Sequence, residues 1–188
     1  MPHGFSHAIV LDLEATCSDT GAVRPQEIIE LPSVLVAVPG GEVLDEFASF
    51  VRPVHHPRLT PFCRELTTIA QADVDAAPVF ADVFAAHQAW LAGHGLTPQN
   101  ALMVTCGDWD LKTMLPAQCR ASEPPVSRIP PLFRRWANLK VLFAGVVGRK
   151  GAGMPKMLDA LDLPLVGTHH RGLDDCRNLA AILRVLLV

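Results

Sequence analysis

The chain has no tyrosine, and its five cysteines (Cys17, Cys63, Cys106, Cys119, Cys176) form no Cys-x-x-Cys pair. An odd, unpaired set argues against a disulfide framework or a structural zinc site and for free, buried thiols in a reducing compartment. No stretch reaches the roughly 18 apolar residues that a membrane helix needs, so no membrane contact is expected. The opening residues, Met1-Pro2-His3-Gly4-Phe5-Ser6-His7, lack the basic-then-apolar order of a secretory signal, and a cytoplasmic protein is the expectation. Repeats and low-complexity tracts are also missing. Positive charge is scarce: 16 Lys and Arg against 19 Asp and Glu leave a formal net charge of −3 and a pI near 6.2. That argues against a protein that coats long nucleic acid electrostatically. It leaves room for an enzyme that grips one strand end where metal ions neutralise the phosphate.

What is present is globular. Hydrophobic residues make up 49% and charged residues 19% of 188 positions, which fits a single domain over 1–188 that buries about 70% of its unfolded surface. Residues 7–13 contain four consecutive apolar, β-branched-rich positions, Ala8-Ile9-Val10-Leu11, and read as a buried strand. A second strand is expected over 28–38, stopped by Pro39-Gly40-Gly41, with a hairpin into a third over 43–51. Thr60-Pro61 resembles an N-cap followed by a first-turn proline, opening a helix from Phe62 to Ile69. Val79, Val83, Ala86 and Trp90 recur at helical spacing over 78–92. A fourth strand is expected over 101–105, then a helix from Gly107-Asp108 through Leu111, Met114 and Leu115. Pro124-Pro125 and Pro130-Pro131 bracket a loop before a helix from Leu132 to Phe143, and residues 155–162 and 173–187 also read as helical. Three strands followed by interleaved helices and strands give an α/β domain with a mixed central sheet and helices on both faces.

Five residues carry the candidate chemistry. Asp12 and Glu14 stand at the end of the first strand, and alternate residues of a strand face one side, so they project together. Two such carboxylates repel each other and lose solvation, and a divalent cation between them removes both costs. Asp108 and Asp110 in Thr105-Cys106-Gly107-Asp108-Trp109-Asp110 compete for a third position. Both suit a helix N-terminus; Asp108 sits where an N-cap would, and Asp110, one turn before Met114, can look back to the first strand. Near the C-terminus, His169 to Asp174 and His170 to Asp175 have the same spacing. Asp175 lies four residues before Leu179 on the stripe Leu179, Ile182, Leu186, which places an acid on a buried face. The pairs Asp108/Asp110 and His169/His170 stay open at this level. The other histidines (His3, His7, His55, His56, His87, His94) have no acidic partner at a telling spacing and are expected at the surface.

Taken together, Asp12-x-Glu14, Trp109-Asp110 and His170-x₄-Asp175 resemble the DEDD exonuclease superfamily with a histidine base, which includes ribonuclease T and the DNA polymerase III proofreading subunit. Leu13-Glu14-Ala15-Thr16-Cys17, Gln26-Glu27-Ile28-Ile29-Glu30, Pro61-Phe62-Cys63, Gly107-Asp108-Trp109-Asp110 and Gly172-Leu173-Asp174-Asp175 look like the histone-mRNA 3′-end and RNA-interference-regulating exoribonucleases and their bacterial relatives. The resemblance runs from about residue 8 to 187. It implies a ribonuclease-H-like fold and metal-dependent 3′-to-5′ hydrolysis of RNA 3′ ends to nucleoside 5′-monophosphates, with two Mg²⁺ or Mn²⁺ ions roughly 3.5–4 Å apart. By the same resemblance Asp12 would bridge both ions, Glu14 and Asp175 would hold one, Asp110 would support the other, and His170 would take the proton from water. The sister class uses tyrosine for that last role, which this chain cannot supply. Leu13, Ala15, Thr16, Phe62 and Trp109 are the implied substrate contacts, with Phe62 and Trp109 sandwiching the terminal base. Where such relatives often carry Leu-Thr-Gly-Ile, this chain has Leu66-Thr67-Thr68-Ile69. Two alternatives remain at this level: a DNA-directed 3′-5′ exonuclease, and an interaction module that retains the fold.

Overall fold

In the computed structural model, residues 4–122, 125–149 and 152–187 are described. The apolar run at the N-terminus forms β1 (His7–Leu11), buried from Ala8 onward. It lies at the centre of a six-stranded sheet. On one side it pairs antiparallel with β3 (Ile28–Ala37), which pairs antiparallel with β4 (Val43–Phe50). On the other side it pairs parallel with β5 (Ala101–Thr105), which pairs parallel with β6 (Trp136–Asn138). A two-residue strand, β2 (Glu14–Ala15), continues the line of β1 along β3.

Helices cover both faces, because the strands alternate. Ile9, Leu11, Leu35 and Met103 join Phe80, Val83 and Phe84 of α3 (Phe80–Gly93) and Leu115 and Cys119 of α4 (Leu115–Ala121) on one face. Ala8, Val10, Val34, Val36 and Val104 face the other way. They meet α5 (Leu139–Val147), α6 (Met154–Ala160) and α7 (Gly172–Leu186). Each large apolar side chain that is fully buried here contributes roughly 1.5–3 kcal/mol. The mixed sheet between two helical layers is the ribonuclease-H-like architecture that the sequence leads one to expect.

The expected strand over residues 7–13 is not continuous. The β1 register runs to Leu11 opposite Ser33, and Glu14 opposite Glu30 keeps the same register, so Asp12 falls opposite Pro32. Proline has no N–H for the ladder, and the pairing lapses there. Past Glu14 the register shifts by a bulge.

Two helical expectations also change. α1 (Pro61–Thr67) starts as expected, with Thr60 Oγ1 accepting from Cys63 N at 3.0 Å, but it stops short of Ile69 at Thr68, whose φ of 56° is left-handed. The expected helix over Leu132–Phe143 is instead a 3₁₀ turn (Pro131–Arg134), then β6, then α5. Trp136–Asn138 extends because β5 offers it an open edge, and Asn138 then caps α5 by accepting from Lys140 N at 3.0 Å. A short helix without a sequence signature, α2 (Gln71–Asp75), follows α1. The loop expected between the proline pairs is irregular over 125–130, and its start at Pro124 lies outside the described residues, as does His3.

His87 overturns its expected surface position. It is fully buried on α3, shares a hydrogen bond with Ser33 Oγ at 2.8 Å, and packs against Phe47, Trp90 and Phe133. His55, His56 and His94 are exposed or half-exposed, as expected. The cysteines are all free; Cys63, Cys119 and Cys176 are buried and Cys17 and Cys106 half-buried.

Candidate active site

The lapse in the ladder at Asp12 builds the site. Leu13 N, not used by β3, donates instead to Asp110 Oδ1 at 2.9 Å. Asp110 reaches it from a π-helical turn, Trp109–Met114, that follows β5 before α4 begins. Such turns re-aim side chains and recur at functional positions; ordinary helical spacing gave no hint of this one. The competing Asp108 faces away. Its Oδ1 accepts from the Trp136 indole at 3.0 Å and from Asn138 Nδ2 at 3.1 Å, which holds its carboxyl below the usual range and ties the π turn to β6. It precedes the turn without capping it.

The fourth acid arrives on α7. A methyl at Gly172 would stand 2.8 Å from Pro32 Cγ and 3.0 Å from the Asp12 carbonyl oxygen, so only glycine lets this helix end touch β1 and β3. Gly172 N donates to the buried Glu30 Oε2 at 3.0 Å. One turn further on, Asp175 is buried beside Asp12 and Glu14. One carboxylate oxygen from each of these three lies within 4.8 Å of the others. The stripe on α7 is broader than Leu179, Ile182 and Leu186: Asn178 is buried as well, donating to Val166 O at 2.8 Å and accepting from Val166 N at 2.9 Å.

This crowding is electrostatically costly as it stands. Burial pushes Glu14 up to about 9, helped by the charges of Asp175 and Glu30. Burial, then Asp110, Glu14 and Asp175, raise Asp12 well above the ordinary carboxyl value. Burial also raises Asp110, against the opposing bond from Leu13 N. A set of hard oxygen donors that cannot all ionise without a counter-charge fits a divalent cation of the magnesium or manganese kind. Asp12, Glu14 and Asp175 are the residues that could hold it, with Asp110 alongside.

The two histidines separate in this structure. His169 Nδ1 is 3.1 Å from both oxygens of Asp175. His170 engages Asp175 through its backbone, N to Oδ2 at 2.8 Å, and adopts a left-handed φ of 68°. Its ring stacks on that of His169 at 3.9 Å between centroids and makes no hydrogen bond among the described residues. Burial and His169 lower its pKa, with Asp175 opposing. The His170 imidazole is therefore neutral near pH 7 and open to the cleft.

Asp12, Glu14, Asp110, Asp175 and both histidines line one cleft of about 410 Å³, together with Leu13, Ala15 and Trp109. Trp109 remains 40% exposed. Two expected contacts are elsewhere. Thr16 is buried, its hydroxyl accepting from Glu27 N at 3.0 Å, and Phe62 does not line the cleft. Leu66, one turn along α1, does line the cleft. The helical interval of four residues carried that signal. Gln26 and Lys140 also reach the cleft, and nothing in their spacing marked them. Glu27 supports it from behind, accepting from the N–H groups of Val54, His55 and His56 and so shaping the loop into α1.

The exonuclease (RNase_T) family model matches residues 9–183. The chain belongs to the exonuclease family. Within it, ERI1 exoribonuclease 3 of Homo sapiens is 42% identical over 98% of this chain, and the chain spans about half of that relative's length (55%). The nuclease domain of 3′hExo, a DEDDh family member bound to rAMP, superposes with a TM-score of 0.91 at 30% identity, covering 100% of this chain and 94% of that one. A 3′-exonuclease recognising a histone mRNA stem-loop gives 0.90 at 30% identity, covering 97% and 82%. The exonuclease fold and DEDDh kinship thus rest on the whole chain, and no helix among the described residues is long and apolar enough to cross a membrane.

Proposed function

We propose that this exonuclease domain is a divalent-metal-dependent 3′-to-5′ exoribonuclease that trims single-stranded or short 3′ ends to nucleoside 5′-monophosphates. The observation that carries it is the convergence of Asp12, Glu14 and Asp175, with oxygens within 4.8 Å of one another and Asp110 tied beside them, at the foot of an open cleft. Asp12, Glu14 and Asp175 would hold Mg²⁺ or Mn²⁺, with Asp110 supporting a second ion. When bound, such ions neutralise the carboxylates and stabilise charge developing on the phosphoryl oxygens.

The chain's own residues do the rest. Asp110, locked by Leu13 N, fixes one wall of the cleft relative to β1. Leu66 and Trp109 offer apolar and aromatic surface to the terminal base, a contact that tolerates any sequence. His170 accepts the proton of the attacking water on a ring nitrogen, since its lowered pKa keeps the imidazole neutral. His169 holds Asp175, keeping it aimed at Asp12. The relatives named exoribonucleases favour RNA, and the free thiols suit the cytoplasm.

The test is time-resolved trimming of a 5′-labelled RNA oligomer and its DNA match, in magnesium, manganese or chelator. Chelator-sensitive shortening from the 3′ end with release of nucleoside 5′-monophosphates is expected, faster on RNA. Endonucleolytic fragments, or activity unaffected by chelator, would sink the reading; faster cleavage of DNA would move the substrate.

A further inference from the structure

The cleft holds one cation whose position the fold does not explain. Lys140 is half-buried in the first turn of α5, where no acidic residue accompanies it. A cation there opposes the positive end of the helix dipole, so stability does not account for it. Among the described residues its ammonium makes no ion pair or hydrogen bond. Its backbone is nevertheless held firmly. Asn138 Oδ1 accepts from Lys140 N at 3.0 Å, while Asn138 Nδ2 donates to the same Asp108 oxygen that receives the Trp136 indole.

This anchoring hangs the side chain over the entry to the π turn. A methyl at Gly107 would lie 3.7 Å from Lys140 Nζ. The ammonium's field is felt by Asp110 and Cys106, whereas Arg171, whose Nε is 3.9 Å from Glu30 Oε2, acts on Glu14 and Glu30. The two cations thus serve opposite sides of the carboxylate group. Lys140 is the sole lysine or arginine among the described residues lining the cleft.

We propose that Lys140 is a phosphate-binding residue: its ammonium grips a backbone phosphate oxygen of the bound strand on the Asp110 side of the cleft. A strand brings one negative charge per nucleotide into a cleft already crowded with carboxylates. Ions held by Asp12, Glu14 and Asp175, with Asp110 in support, would offset part of that charge, and Lys140 adds a fixed cation on the Asp110 side. A flexible stem ending in three rotatable donors suits a grip that ignores base identity.

The proposal rests on the nuclease reading above, and the experiment separates the two. Binding of a 5′-fluorescein-labelled single-stranded RNA oligomer is followed by anisotropy across a salt series, with calcium in place of magnesium. Wild type is compared with Lys140→Gln, Lys140→Arg and Lys112→Gln, the last an exposed lysine outside the cleft. Each phosphate contact on a single strand contributes about −0.7 to the slope of log K against log salt. Lys140→Gln is expected to weaken binding roughly tenfold at low salt, as for a charge-assisted bond, and to flatten the slope by about 0.7. Lys140→Arg should restore the wild-type slope and Lys112→Gln should keep it. A Lys140→Gln line parallel to wild type overturns the proposal whatever its affinity, because a structural role does not change counterion release. Wild type that binds no RNA overturns the nuclease reading itself.

Discussion

Behind β3, His87 sits fully buried with one ring nitrogen on Ser33 Oγ and aromatic rings around it. At the end of β1, Asp12, Glu14, Asp110 and Asp175 crowd together, with Asp110 held by Leu13 N and Asp175 by His170 N beside the His169 ring. Burial pushes His87 down to about 3 and Glu14 up to about 9. In both places burial favours the neutral form. For His87 neutrality suits the core: Nε2 shares a hydrogen bond with Ser33 Oγ, while Nδ1 is buried without a hydrogen-bond partner, a modest cost for an uncharged ring among aromatic neighbours. For Asp12, Glu14 and Asp110, pushed up by burial, neutrality is a stopgap, since acids brought together from separate parts of the chain repel once they ionise. A single neutral imidazole enclosed by rings is architecture; several carboxylates converging at an open cleft mark where something else binds.

The sharpest way to break this comparison is Asp12→Asn. Trimming should fall roughly 10⁴-fold, the equivalent of several kcal/mol of lost charge stabilisation. In chelator the same variant should melt above wild type, because it removes a carboxyl whose ionisation the folded site disfavours. The sign follows from the raised carboxyls. A folded pKa above the unfolded one means the folded state binds more protons across the window from 4.5 to about 9 for Glu14, so metal-free stability falls as pH rises through it. An Asp12→Asn protein that melts lower than wild type in chelator would contradict the account of the cleft.

Next in size are the paired histidines. His170→Asn should lower the rate on the order of 10²-fold or more and remove the acidic limb of the pH–rate profile. His169→Asn should leave that limb in place, because its ring serves Asp175. Equal losses with the same pH profile would undo their separation.

On the other side of the comparison, His87 carries the opposite linkage. Its folded pKa, about 3, lies below the unfolded 6.5, so the unfolded state binds the extra proton between those values. Stability should therefore be lost as pH falls through that window, with a limiting slope of about 1.4 kcal/mol per pH unit. His87→Met should flatten the dependence of the urea midpoint over this range while leaving kcat unchanged. The smallest effect concerns Thr68, a β-branched residue at a left-handed φ of 56°. Thr68→Gly should raise stability by about 1 kcal/mol, read from the urea midpoint.

Much of this was legible in the sequence. The two-residue period of β1 placed Asp12 and Glu14 on one face, and the four-residue interval to Leu179 singled out Asp175. Other features depended on contacts the chain makes only when folded. The break at Asp12 comes from Pro32, twenty residues on. β6 is a strand because β5 has an edge to fill, which outweighed the apolar pattern through Leu132–Phe143. Leu66 reaches the cleft from the same helix as Phe62, while Cys63 and Thr67 of that helix are buried. His87 lacks an acidic partner, and its polar partner, Ser33, is remote in sequence.

Gly172 gives the site a manufacturing tolerance close to zero. The helix that carries Asp175 rests directly on Pro32 and on the Asp12 carbonyl, with no side chain between them to act as a shim. Asp175 lies one rigid turn beyond that point of contact, so any thickness added at Gly172 displaces the acid from its partners. The spacing of the carboxylates is gauged by a bare glycine against a proline ring and a backbone carbonyl, and a single methyl would be enough to put it out of calibration.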